Sequence, residues 1–234
     1  MTHPSTSSQD LTRLTETQLV DEAIENTSFW KDAYFELERR APADAAADAV
    51  VRRFESGTVA PWLAAALLQA CASTRAGATA LKILQAAPGS LAESYAAGAL
   101  ARASGLGAEA DFLRLLAAGA TGRVRAAAAH GLVAIRSPAA RPEILAAVRA
   151  GRVRPSTAGH QLACLEWSPD ELCDLLRSDD GRERAVALEI VLVQSSAAST
   201  IERDLADEVR GALERAGTPL ARRSRATLER RLQR

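Results

Sequence analysis

The chain has 234 residues, of which 47% are apolar and only 4% aromatic, and its 29 basic and 29 acidic residues give a formal charge of zero. The apolar fraction excludes an intrinsically disordered chain, and the balanced charge argues against a dedicated nucleic-acid-binding protein. The cysteines Cys71, Cys164 and Cys173 lack metal-site spacing and indicate reduced thiols in a cytoplasmic protein. We expect Cys71 and Cys164, near the ends of predicted helices, to be buried.

The first stretch, residues 1–15, is polar and lacks the basic and apolar regions of a signal peptide. We expect it to be a flexible tail, followed by a short helix near Thr17–Glu25. The longest apolar run, Val59–Ala72, contains Pro61 and Gln69 and is too short to span a bilayer. No membrane association is therefore expected.

From residue 28 onward an alanine recurs at steps of 31, 32, 32, 30 and 29 residues, and a large aliphatic residue follows it four positions later. The marker alanines are Ala33, Ala64, Ala96, Ala128, Ala158 and Ala187, and the aliphatic residues are Leu37, Leu68, Leu100, Leu132, Leu162 and Val191. Positions i and i+4 share a helix face, where alanine permits close helix approach and the aliphatic side chain fills the adjacent space. A period of this length predicts a solenoid of stacked helix pairs.

We place the repeats at 28–57, 58–89, 90–119, 120–151, 152–180 and 181–217, with two helices in each. In the fourth repeat, Ser137-Pro138 marks the turn between the helices, and Gly151 ends the second helix. Three glycines are expected to end the second helices of the first three repeats in the same way: Gly57, Gly89 and Gly119. The middle of the sixth repeat, Ser195–Thr200, has no clean turn signal, and its second helix is predicted to be long.

The last predicted element is a capping helix at residues 218–234, in which Thr218 is the N-cap and Pro219 takes the first helical position. Its apolar stripe is thin and its other face is rich in arginine, as a terminal solenoid cap requires. The predicted fold is therefore all-α, a right-handed α-solenoid of five to six helical hairpins that forms one domain over residues 16–234.

The fourth repeat carries a family resemblance in the sequence RVRAAAAHGLVAIRSP, residues 123–138. It resembles HEAT-like repeats, specifically the short variety first described in phycobilisome lyases, and the resemblance covers about residues 28–217. It implies stacked hairpins whose second helices line a concave side. Its implications for function are weak, because proteins with such repeats include scaffolds, adaptors, lyases and some DNA glycosylases.

Motifs for catalysis are absent from the sequence: it has no glycine-rich phosphate loop, HExxH motif, paired cysteines or nucleophile elbow. No catalytic residue, cofactor or metal is therefore predicted. His130 and His160 stand two residues after their marker alanines, and Glu189 takes the same position in the sixth repeat. Because neighbouring helices lie ~8–10 Å apart, we interpret this row as solvated surface and not as a metal site.

An enzymatic alternative rests on Trp30, Trp62 and Trp167. Helical-repeat alkylpurine DNA glycosylases resemble this chain in size and architecture, and that resemblance implies aromatic residues and an acid in a basic groove. Trp30 and Trp62 lie near the starts of predicted first helices, which favours packing at repeat junctions. A DNA-binding repair enzyme of this type stays as the alternative function, whereas no pigment-binding residue of a bilin lyase can be matched.

Basic residues form two rows. The first row lies at the starts of first helices: Arg123, Arg125, Arg152, Arg154, Arg182 and Arg184. The second lies on the second helices, with Ala146 interrupting it and Arg149 able to cover the gap: Arg52, Lys82, Arg114, Arg149 and Arg177. We expect this second row to bind carboxylate or phosphate groups of a partner. Alternatively, its members pair with acids in neighbouring turns, such as Glu55, Glu109 and Asp174.

These patterns predict a non-enzymatic scaffold or adaptor for protein–protein interaction, monomeric and located in a bacterial cytoplasm. It would present a concave, partly basic surface to an acidic or phosphate-bearing protein partner, with nucleic acid less favoured. The bacterial assignment comes from the preference for alanine and for arginine over lysine, since Lys31 and Lys82 are the only lysines.

Overall fold

The computed structural model describes residues 11–86, 91–195, 201 and 203–233, and within these ranges every regular element is a helix. The α-helices are α1 Glu16–Glu25, α2 Trp30–Arg40, α3 Asp44–Glu55, α4 Pro61–Cys71, α5 Gly77–Ala86, α6 Ala92–Ser104, α7 Glu109–Ala118, α8 Gly122–Ala134, α9 Ala140–Arg149, α10 Pro155–Leu162, α11 Pro169–Arg177, α12 Gly181–Gln194, α13 Arg203–Glu214 and α14 Arg222–Leu232. Short 3₁₀ helices at Thr74–Ala76 and Gly105–Ala108 precede α5 and α7. The all-α prediction is confirmed.

Each of the six predicted repeats contains two α-helices, from α2 and α3 in the first to α12 and α13 in the last. The predicted helix near Thr17–Glu25 is α1, which Thr15 caps by accepting from the Gln18 N–H while the Gln18 side chain accepts from the Thr15 N–H. The middle of the sixth repeat at 196–200 and the predicted terminator Gly89 lie outside the described residues.

The repeating positions form the core. All six marker alanines are inaccessible to solvent, and none of the six aliphatic residues that follow them exposes more than 4% of its surface. This burial confirms that the period marks the packed face of each first helix.

The contacts divide the described residues into two compact units, where the sequence predicts one continuous domain. The first unit comprises the described residues up to Leu115 together with Gly119–Ile135, and the second comprises Leu116–Ala118 and the described residues from Arg136 onward. In the first unit, α2, α4, α6 and α8 pack against one another in that order, and α3 and α5 pack on α4 and α6. In the second unit, α10, α12 and α14 pack in order, and α11 packs against α12 and α13.

Helix ends follow the predicted glycine pattern in part. Gly57 and Gly151 have φ angles of 71° and 72°, the left-handed conformation that favours glycine at a helix end. Gly119 does follow the last residue of α7, as predicted, but it is extended, with φ −57° and ψ 139°, and not left-handed. There a Cβ atom would overlap the Leu115 carbonyl and crowd Val124, so close approach, and not a left-handed turn, requires glycine.

The capping helix also begins later than predicted. Ala221 is the N-cap of α14 and makes no side-chain cap bond, so Thr218 and Pro219 precede the helix. The Thr218 hydroxyl instead accepts a hydrogen bond from Arg184 Nε at 3.0 Å. Leu228 is fully buried on the thin apolar stripe, as the sequence predicts.

Residues 11–15 belong to the folded part of the chain. Leu11 is buried, and the guanidinium of Arg40 donates to the carbonyls of Leu14 and Leu11 at 2.6 and 2.9 Å. Glu36 holds Arg40 in place at 2.7 Å. Residues 1–10 of the predicted flexible tail lie outside the described residues, and the expectation of a tail is wrong for residues 11–15.

Replacing Gly131 with alanine should destabilise the protein. The added Cβ would overlap the ring of Phe112, which is fully buried. Overpacking of this kind costs about 1–3 kcal/mol, more than alanine gains in helix propensity. Urea denaturation monitored by circular dichroism measures the difference. Gly122→Ala in the same helix meets nothing within 4 Å and should change stability by less than about 0.5 kcal/mol. If Gly131→Ala and Gly122→Ala are equally stable, Phe112 does not pack against Gly131 as described.

Glu36→Gln should remove a pH-dependent contribution to the free energy of unfolding. Hydrogen bonds from Arg39 and Arg40 lower the pKa of Glu36 from 4.5 to about 2, so between these values the unfolded chain binds more protons than the folded one. The contribution of Glu36 is therefore complete above about pH 4.5 and declines as the pH falls toward 2.

The measurement is the unfolding free energy of both proteins between about pH 2 and 7. Near neutrality the wild type should exceed Glu36→Gln by about 1–2 kcal/mol, allowing for solvent screening at the exposed Arg39, and the gap should close in acid. Glu25→Gln, at an exposed position, serves as the control. If the difference in unfolding free energy between the two proteins stays constant with pH, the ionised Glu36 carboxylate does not contribute to stability as described.

Candidate functional site

The second-helix basic row is largely ion-paired. Its pairs are Lys82 with Glu55 at 3.6 Å, Arg114 with Asp111 at 2.5 Å, Arg149 with Glu183 at 2.6 Å and Arg177 with Glu208 at 2.6 Å. All five members, including Arg52, are exposed. Of the acids named as alternatives, Glu55 is a partner; at Arg114 and Arg177 the partners are Asp111 and Glu208 instead. The row therefore presents alternating charges to solvent and not a stripe of unpaired guanidinium groups.

Three arginines of the first-helix row donate hydrogen bonds to backbone carbonyls. Arg125 donates to the Gly119 carbonyl at 2.7 Å, and Arg182 donates to the Arg149 carbonyl at 2.7 Å. Arg184 is only 5% exposed. Its guanidinium reaches the carbonyls of Ser178, Asp179 and Ala216 at 2.8–3.0 Å as well as the Thr218 hydroxyl. These side chains satisfy carbonyls that have no partner at helix ends.

The proposed row of His130, His160 and Glu189 is not continuous. Both histidines are exposed, as predicted, but Glu189 is only 1% exposed and packs under Gly159, so placing it on the solvated surface is wrong. The reason is that α12 is covered by α9, α10, α11, α13 and α14, which buries residues on every side of it. Glu189 Oε2 has no hydrogen-bond partner among the described residues. The described part of the chain brings together no group of three His, Cys, Asp or Glu side chains that could hold a metal ion.

Cysteine burial is as predicted at one position only. Cys71 is buried, and desolvation raises the pKa of its thiol to about 12, so it is an unreactive core residue. Cys164 is exposed, contrary to the prediction. Helix α10 has eight residues and ends at Leu162, which leaves Cys164 beyond the packed face.

Aromatic side chains converge at the N-terminal ends of three first helices in the first unit. Trp30 lies at the centre, with edge-to-face contacts to Trp62, Tyr34 and Tyr95 at ring-centroid distances of 5.5, 6.3 and 6.3 Å. Phe35 extends the cluster through Tyr34 at 5.6 Å. These five residues are most of an aromatic complement of three Trp, two Tyr and four Phe. We call them the aromatic cluster.

A cavity of about 410 Å³ opens beside the aromatic cluster and is lined by Trp30, Lys31, Tyr34, Phe35 and Tyr95. Phe35 is 65% exposed, although burial of such a ring is worth about 1.5–3 kcal/mol. The Lys31 ammonium lies 5.9 Å from the centroid of the Trp30 ring. A pocket with mostly apolar walls and a cation at its edge has the character of a binding site. We call it the aromatic pocket.

Polar atoms of the aromatic pocket are available to a ligand. Within the described residues, no hydrogen bond engages the Trp30 indole N–H or the hydroxyls of Tyr34 and Tyr95. Burial, reinforced by the Glu38 carboxylate, raises the pKa of Tyr34, so its phenol stays protonated and can donate. Glu38 itself is bound to Arg102 at 2.7 Å.

Two members of the aromatic cluster, Trp30 and Trp62, are candidates from the sequence, and the other three are not. Trp30 and Trp62 do pack together between α2 and α4, as expected for a repeat junction. A signal for the others was present, because Tyr34 is one helical turn after Trp30, and Trp62 and Tyr95 stand two and one residues before their marker alanines. Trp167 is separate: Arg141 stacks on its ring at 4.3 Å, and its N–H donates to the Leu162 carbonyl.

Replacing Arg184 with lysine should destabilise the protein by about 2–4 kcal/mol, because one ammonium cannot reach four acceptors and some buried carbonyls lose their partners. Chemical denaturation measures the loss. Arg52→Lys at an exposed position is the matched control and should lie within about 0.5 kcal/mol of wild type. If the two variants are equally stable, the four hydrogen bonds do not contribute as described.

Comparison of the chain with protein-family models, with curated proteins and with solved structures found no match. Within the described residues, none of the helices has both the length and the apolar character that a membrane crossing requires. The candidate functional site therefore rests on the geometry of the aromatic pocket itself.

Proposed function

We propose that the protein is a non-enzymatic interaction module, an α-solenoid of HEAT-like hairpins that binds a protein partner through the aromatic pocket of its first unit. The carrying observation is the aromatic cluster beside an open cavity, with Phe35 65% exposed. In a chain with 4% aromatic residues, this concentration at the surface favours recognition, because large aromatic anchors dominate the energetics of protein interfaces.

The solenoid part of the proposal is supported by the order of helix contacts inside each unit. First helices of successive repeats touch in sequence, from α2 to α8 in the first unit and from α10 to α12 in the second, where the capping helix α14 also packs on α12. The buried alanine of each repeat lies on the packed face of its first helix. This is the pattern in which each repeat buries its apolar face against its neighbours.

The proposal places the partner at the aromatic pocket and not on the second-helix basic row. Four members of that row, Lys82, Arg114, Arg149 and Arg177, already have a carboxylate within 3.6 Å. Exposed pairs of this kind contribute little individually, but a partner would have to displace the resident acid before it gained a contact. An anionic partner instead finds Lys31 at the edge of the aromatic pocket, a cation that forms no ion pair with any of the described residues.

Phe35→Ala should weaken partner binding at least about ten-fold, as expected for a central aromatic anchor. The partner is first isolated from the source organism as a protein retained by the wild type and by the control Leu106→Ala. It is then purified and titrated against each variant by calorimetry. Leu106 is a matched control because it is also an apolar residue of the first unit and is 60% exposed. Both changes should leave thermal stability nearly unaltered.

Two results would contradict the proposal. One is equal binding of the purified partner to Phe35→Ala and to wild type. The other is tight binding of duplex DNA at about 50 mM salt that weakens steeply as salt is added, since that dependence identifies phosphate contacts and would favour the DNA-repair alternative. The double variant Arg114→Glu and Arg177→Glu separates the two surfaces, because it should leave binding at the aromatic pocket unchanged.

A further inference from the structure

We infer that the aromatic pocket recognises an acidic peptide segment, in which a large apolar side chain enters the cavity and a neighbouring carboxylate pairs with Lys31. This inference rests on the proposed function and names the chemistry of its partner. It commits to a peptide in which the two groups are adjacent, because Lys31 lies on the first turns of α2 together with three of the four rings that line the cavity.

The residues that line the cavity indicate that the ligand has a large apolar side chain. Four of the five lining residues are aromatic, and the Trp30, Tyr34 and Tyr95 rings meet at angles of 57–85°. Rings set edge to face leave a recess with both ring faces and ring edges on its surface, which suits an aromatic or branched side chain. The volume of about 410 Å³ is within the range of small-molecule pockets and is larger than a single side chain needs.

The position of Lys31 indicates that the ligand also carries a carboxylate. Its ammonium is exposed and forms no ion pair within the described part of the chain, in contrast to Lys82, which is bound to Glu55. The other polar groups of the lining, the Trp30 indole N–H and the hydroxyls of Tyr34 and Tyr95, can all donate hydrogen bonds. The nearby acid Glu38 is already bound to Arg102 at 2.7 Å. The charge at the edge of the pocket is therefore complementary to a carboxylate.

A cationic ligand is the main rival, because perpendicular aromatic rings can also enclose an ammonium group. Here the protein's own ammonium already lies over Trp30 at 5.9 Å. A second cation in the same recess would be repelled by Lys31, whereas a carboxylate would be attracted to it. The position of Lys31 thus decides between the two chemistries.

Three blocked dipeptides test the inference: acetyl-Asp-Phe-amide, acetyl-Asn-Phe-amide and acetyl-Lys-Phe-amide. Binding is followed by two-dimensional ¹H–¹⁵N NMR of the three tryptophan indole N–H signals in the full chain. The Trp30 signal should shift as peptide is added. The Trp167 signal is an internal control, because its N–H is bonded to Leu162 at 2.8 Å in the second unit. The Asp peptide should bind about two- to five-fold more tightly than the Asn peptide, with the Lys peptide weakest, as expected for one exposed ion pair.

Variants of Lys31 then test whether its ammonium group causes the preference for the Asp peptide. In Lys31→Gln the Asp and Asn peptides should bind equally, and in Lys31→Glu the Lys peptide should become the tightest of the three. Because the Lys31 side chain is exposed, both variants should keep the unfolding temperature of the wild type. Phe35→Ala should weaken all three peptides alike, since it removes part of the apolar wall and no charge.

The inference is overturned if the wild type binds Asp and Asn peptides equally, if it prefers the Lys peptide, or if no peptide shifts the Trp30 signal. These failures are distinguishable from failure of the proposed function. If the purified partner still loses affinity with Phe35→Ala while the peptides show no charge preference, the pocket is the interface and only its chemistry is wrong. If Phe35→Ala leaves partner binding unchanged, the proposed function fails as well.

Discussion

Close approach of first helices at small residues is the constraint on which this structure depends. The marker alanines place a single methyl group at each helix contact, and glycine removes even that where a neighbour intrudes: Gly98 against Gln69, Gly131 against Phe112 and Gly159 against Glu189. With few aromatic residues available, the core cannot rely on large side chains. Its cohesion comes from many short-range contacts between closely spaced backbones, which only a short side chain permits.

Arginine supplies the second requirement of a fold made from short helices. Each helix leaves carbonyls without partners at its C-terminal end, and guanidinium groups fill many of these positions from a distance in sequence. Arg102 donates to the Gln69 carbonyl, Arg215 to Leu176 and Arg231 to Leu192, besides the contacts of Arg40, Arg182 and Arg184. A planar group with five donors serves two or three carbonyls at once, which lysine cannot do. Part of the positive charge is thereby used to hold helix ends together.

Periodicity in the sequence was sufficient to locate the helix pairs and their buried faces, because a packed face repeats with the structural unit. It was insufficient where one position faces several neighbours. Glu189 stands at the same place in its repeat as the exposed His130 and His160, so the period predicts an exposed side chain. Helix α12 is covered on all sides, however, and Glu189 is therefore buried. The ion pairing of the basic row was missed for a related reason: the acids that bind Arg149 and Arg177 lie 34 and 31 residues further along the chain. These acids lie far beyond the neighbouring turns of the same helix, in which the sequence analysis places the partners.

The aromatic pocket also has a mechanical consequence. Its lining comes from α2 and α6, which belong to different repeats, while Trp62 on α4 contacts Trp30 edge to face. A ligand in the cavity would therefore contact helices of the first and third repeats and oppose their movement relative to each other. Occupancy would stiffen the first unit along its length and slow amide hydrogen exchange in helices that the ligand never contacts.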